Sequence, residues 1–77
     1  MSNLQITYDA KANAAYVYLT DPQVKQKVSH TYPCNPIEVD GMINLDFDAD
    51  GRLIGVEVLD ARAKLPQYVL DQAERID

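Results

Sequence analysis

A chain of 77 residues, 47% hydrophobic and 25% charged, is long enough for one thin core and too apolar for disorder. Its net charge of −5 repels phosphate backbones, and its seven basic residues are scattered, which excludes nucleic-acid binding by the surface as a whole. One cysteine, Cys34, and one histidine, His30, exclude an internal disulfide and a Cys/His zinc set.

The first residues, Met1-Ser2-Asn3-Leu4-Gln5, carry neither a basic region nor an apolar run, so no signal peptide is expected. No stretch approaches the roughly 18 apolar residues of a membrane span. With one unpaired cysteine, a cytoplasmic location is expected.

Leu4, Ile6 and Tyr8 alternate with polar neighbours and predict a half-buried strand over 4–8. Asp9 to Asn13 holds turn formers. Residues 14–19 predict a second strand, with Val17 and Leu19 on one face and Tyr16 and Tyr18 on the other. A strand apolar on both faces is central or lies at an interface. Thr20-Asp21-Pro22 ends it. Residues 24–32 predict a third strand, whose exposed Lys25 and Lys27 mark a sheet edge. Pro33-Cys34-Asn35-Pro36 reads as a loop, and Ile37-Glu38-Val39 as a short extended piece before Asp40-Gly41.

Two strands, 42–48 and 52–59, flank Asp50-Gly51, a dipeptide that favours a two-residue type I′ turn. That turn sets Phe47 opposite Ile54, Leu45 opposite Val56 and Ile43 opposite Val58. A one-residue slip would mismatch the apolar faces, so the pattern selects the register. From Pro66 onward, Leu65, Tyr68, Val69, Ala73 and Ile76 recur at helical spacing. A helix of roughly ten to twelve residues is marginal alone and is expected to dock on the apolar side of the hairpin. The expected fold class is α+β. A small, mainly antiparallel sheet of about four or five strands carries one C-terminal helix on one face, as a single domain over 1–77.

Residues 46–57 match the calcium-loop pattern D-x-[DN]-x-[DN]-G-x5-E in full. Asp46, Asp48 and Asp50 would supply oxygens, Arg52 a carbonyl, and Glu57 the closing pair. A calcium loop sits between helices, yet Pro36 and Gly41 forbid a good entering helix. The same residues form the hairpin, which would leave Asp46, Asp48 and Glu57 on a solvated face. The favoured reading is therefore an acidic face plus a turn, with no metal or cofactor implied. A calcium- or small-ligand-binding protein using 46–57 is the alternative. Cys34 and His30 are within conceivable reach of each other, but no third group or oxyanion donor accompanies them. No catalytic residue is assigned. Tyr8, Tyr16, Tyr18, Tyr32 and Tyr68 suit a small core or an interface better than base stacking.

Residues 46–61, from Asp46-Phe47-Asp48 through Asp50-Gly51-Arg52-Leu53-Ile54-Gly55-Val56-Glu57-Val58-Leu59-Asp60-Ala61, resemble the signature of the small bacterial family called domain of unknown function 2283. Tyr8-Asp9 followed by Ala14-Ala15-Tyr16-Val17-Tyr18-Leu19 fits its start, so the resemblance covers most of residues 4–65. It implies a compact β-rich fold with a terminal helix, no established activity, and accessory proteins, some encoded beside toxin-like partners. The expected function is a non-enzymatic protein-interaction module, regulatory or antitoxin-like. It is expected to act as a homodimer or with a small protein partner, away from nucleic acid and membrane.

Overall fold

The computed structural model describes residues 5–21, 23–24 and 27–77. It is an α+β fold with one six-stranded mixed sheet and three short helices. The strands are β1 (Gln5–Asp9), β2 (Ala14–Tyr18), β3 (His30–Pro33), β4 (Ile43–Phe47), β5 (Leu53–Leu59) and β6 (Glu74–Arg75). The helices are α1 (Pro36–Val39), α2 (Ala61–Lys64) and α3 (Gln67–Gln72). Sheet order is β3-β4-β5-β2-β1-β6, with β1–β6 the parallel pair and the other pairs antiparallel.

This corrects the expectation of fewer strands and one helix. The apolar rhythm after Pro66 holds a helix only to Gln72. Ala73 turns extended, with φ −72° and ψ 150°, and Glu74–Arg75 then joins β1. Tyr68 and Ile76, expected on the buried face, are 66% and 58% exposed, while Leu70 is buried. The helix docks on Tyr8 and Ala15, at the β1–β2 end of the sheet, rather than on the hairpin. Ala61 of α2, fully buried, joins that cluster, with Ala10, Leu65 and Ala73 around it.

The β4–β5 hairpin forms with Ile43 opposite Val58 and Leu45 opposite Val56, as the pattern demands. Its turn differs. Only Gly51 has positive φ, at 82°, whereas type I′ needs two such residues. The Gly51 amide donates to the Asp48 carbonyl at 3.0 Å and the Asp48 amide to the Arg52 carbonyl at 2.9 Å. Asp48 Oδ1 accepts the amides of Asp50 and Arg52, both at 2.9 Å. The loop is thus one residue longer than a type I′ turn, and the extra residue is absorbed as a bulge: Phe47 faces Leu53 instead of Ile54.

β3 lies at the sheet edge as expected, but spans only 30–33. Of the longer strand expected over 24–32, Lys25 and Gln26 lie outside the described residues, and Val24 and Lys27 to Ser29 are not in a strand. Residues 36–39 are helical rather than extended. Asn35 Oδ1 accepts the amides of Ile37 and Glu38, Pro36 occupies the first turn, and Asp40 closes the helix with φ 51°.

Candidate functional site: the two faces of the sheet

Strand alternation and the observed registers sort the side chains into two sets. Ile6 and Tyr8 of β1, Ala15 and Val17 of β2, Val56 and Val58 of β5, Ile43, Leu45 and Phe47 of β4, and His30 and Tyr32 of β3 share one face. None of these bears a formal charge at neutral pH, His30 being counted neutral. Asp46 and Glu57 fall on the opposite face, with Tyr16, Tyr18, Asn44 and Thr31.

The polar face is tied together by hydrogen bonds. Tyr16 donates its hydroxyl to Asp46 Oδ2 at 2.7 Å, and Thr31 donates to Asp46 Oδ1 at 2.7 Å. Asn44 donates to Glu57 Oε1 at 2.9 Å. Gly55 makes the first bond possible. A Cβ there would meet the Tyr16 hydroxyl at 1.9 Å and its ring carbon at 2.5 Å, so the phenol lies directly across the bare backbone of β5. Burial, and then the Asp46 carboxylate, push the Tyr16 hydroxyl well above the ordinary tyrosine range. Tyr18 meets the Tyr16 ring edge-on, with centroids 4.7 Å apart.

The calcium-motif residues are therefore distributed. Asp46 holds two hydroxyls, Asp48 holds two turn amides, Glu57 holds an amide side chain, and Asp50 is exposed at the turn. The segment is a hairpin, not a loop between helices. Among the described residues, no group of three or more His, Cys, Asp or Glu side chains converges as a metal site would require.

Cys34 and His30 are also apart. Both lie on one extended stretch, since the Cys34 amide continues the ladder to the Ile43 carbonyl. Four residues of strand separate their Cα atoms by about 13 Å. His30 instead leans on Phe47, with ring centroids 6.3 Å apart.

The apolar face is covered only in part. α2 and α3 bury Tyr8, Ala15 and the region around them, and on β5 both Ile54 and Val58 are buried. Towards β3 and β4, Leu45, Phe47 and Val56 stay partly exposed, Tyr32 is 55% exposed and Leu53 39%. No side chain larger than alanine reaches full burial among the described residues. An open concavity of about 490 Å³ lies at this end, lined in part by His30, Tyr32 and Phe47 and, on its turn side, by Asp48.

Sequence reasoning missed the Tyr16–Asp46 link, although an isolated glycine within a strand is the signal for such a close approach.

A small α+β sheet protein with one polar and one incompletely covered apolar face is the class that this geometry defines. Residues 5–62 match the family model described as protein of unknown function (DUF2283), and the chain belongs to that family. Neither the curated proteins nor the solved structures contain a match to it. No helix among the described residues is long and apolar enough to cross a membrane.

Proposed function

We propose that this chain is a non-enzymatic protein-interaction module of the cytoplasm whose working surface is the uncovered part of the apolar face. One observation carries the reading: apart from Asp48 at the turn, the β3–β4–β5 end presents uncharged side chains, partly exposed around the buried Ile54, with no second layer from α2 or α3. Contiguous apolar surface on a small domain marks a contact site more often than a solvent face. A regulatory or antitoxin-like adaptor is the form this takes when the partner is another small protein.

Photo-crosslinking in the native cell tests it. A photoreactive phenylalanine analogue at position 32 samples the apolar face, and the same residue at position 18 samples the polar one. Protein adducts are expected from position 32. Adducts from position 18 alone would refute the reading.

A further inference from the structure

We propose that the uncovered apolar face is closed by a second copy of this chain, in a two-fold, face-to-face dimer centred near Phe47 and Leu53; this rests on the interaction reading above. Surface area supplies the first argument. The chain exposes 5560 Å². Folded monomers of 8.6 kDa expose about 4,700 Å² on the general scaling, so the surplus is about 850 Å². A standard interface takes about 800 Å² from each partner. The radius of gyration agrees, at 12.5 Å against about 11.5 Å for a compact chain of this length.

Charge supplies the second. A chain of net charge −5 repels its own copy, and pairing through the polar face would set Asp46 and Glu57 against their counterparts. The apolar face carries one carboxylate at its rim, Asp48, whose Oδ1 is engaged by the Asp50 and Arg52 amides, so it meets itself with less repulsion than the polar face would.

The sheet edges supply the third, by elimination. β3 ends in Pro33, which has no N–H to donate, and β6 is two residues long. Neither edge offers a long ladder to a neighbouring strand. A two-fold contact also needs a surface complementary to itself. The concavity lined by His30, Tyr32 and Phe47 sits beside the exposed Leu53, which pairs with Phe47 across the hairpin. A socket and an apolar side chain on the same face can each receive the other's across the axis.

Sedimentation equilibrium of the full chain from low- to high-micromolar concentration tests this. Wild type is expected to rise from 8.6 kDa towards twice that mass. Leu53→Lys and Tyr32→Lys are expected to weaken association by roughly 100-fold, as loss of a buried interface anchor does. Thr31→Lys, on the polar face of the same strand, should leave the mass unchanged. Near-ultraviolet circular dichroism and hydrogen exchange report whether each variant stays folded. A dimer that survives both Leu53→Lys and Tyr32→Lys would overturn the assigned face. A strictly monomeric wild type that still crosslinks to another protein from position 32 would overturn the second copy and leave the interaction module standing. A monomer with no adduct from position 32 would remove both.

Discussion

Asn13 and Asp60 face each other with both backbones in the left-handed region, φ 55° in each, and Asn13 Nδ2 donates to Asp60 Oδ1 at 2.9 Å. The same asparagine takes over the capping of α2. Its carbonyl accepts the Ala61 amide at 2.9 Å, and its Oδ1 accepts the Arg62 amide at 3.0 Å, while the side chain of Asp60, the residue in the cap position, makes no cap bond. Asparagine tolerates positive φ better than other side chains, so one residue closes the β1–β2 turn and anchors a helix far along the chain. Arg62 completes the tie by donating to the Tyr8 hydroxyl at 3.1 Å.

Asn13→Ala is therefore expected to destabilise the fold by about 2 kcal/mol, combining a lost cap with an alanine forced to positive φ. Asn13→Gly keeps the backbone freedom and should lose roughly half as much. Urea unfolding midpoints of the two variants measure the split. Equal losses would mean that the side-chain bonds alone matter.

Gly55→Ala should force Tyr16 off the sheet, because the new methyl group would occupy the space of the phenol. Overfilling a packed site costs typically about 1–3 kcal/mol. In a Tyr16→Ala background the same change should cost under about 0.5 kcal/mol, since nothing remains to clash and strand alanine is no worse than glycine. A double-mutant cycle by chemical denaturation gives the coupling directly. An undiminished penalty in the double mutant would show that the backbone, not Tyr16, requires the glycine.

Tyr16 also predicts an alkaline limb in the stability curve. Its hydroxyl ionises less readily in the folded protein than in the unfolded chain, because burial and the Asp46 carboxylate oppose a second negative charge. The resulting stabilisation is complete below the unfolded tyrosine pKa of about 10 and is lost as pH rises beyond it, since the unfolded state then releases a proton that the folded state retains. Tyr16→Phe should lower stability at neutral pH by about 1 kcal/mol through the lost hydrogen bond and flatten this limb above pH of about 10. Absorbance at the tyrosinate band, wild type minus Tyr16→Phe, reads the late-titrating hydroxyl. A difference curve centred on the ordinary tyrosine pKa would contradict the Tyr16–Asp46 geometry.

The turn offers a conformational test free of packing. A Cβ on Gly51 would touch nothing within 4 Å, yet φ is 82°. Gly51→Ala should cost about 1 kcal/mol from backbone strain, and Gly51→Asn less. Thermal unfolding of both variants checks the order, and an alanine variant as stable as wild type would mean the turn rearranges.

Much of this architecture was legible wherever a repeating pattern met a turn signal. Leu45 opposite Val56 and Ile43 opposite Val58 followed from alternation, because half a sheet of mismatched faces is the alternative. Phe47 escaped, since Asp-Gly serves two turn types and the Asp48 side chain, by capping the Asp50 and Arg52 amides, stabilises the longer one. The Asn35-Pro36 start of α1 carried a cap signal of the ordinary kind, but four residues of helix give no periodicity to confirm it. β6 has no local signature at all. Two residues extend because Thr7 and Tyr8 offer a free edge, and Ile76 donates to the Tyr8 carbonyl at 3.1 Å once they are there. The separation of charges between faces was half visible, in Tyr16 and Tyr18 against Val17 and Leu19. The open end of the apolar face was not, because it depends on α3 stopping at Gln72 and docking over Tyr8.

Hydroxyl-radical footprinting of the full chain at low and high concentration probes the division of the sheet most directly. Leu45, Phe47 and Val56 are expected to lose reactivity as concentration rises while Tyr18 keeps its own. Protection that appears on Tyr18 and leaves Leu45 and Phe47 unchanged would place the contact on the polar face and contradict the assignment.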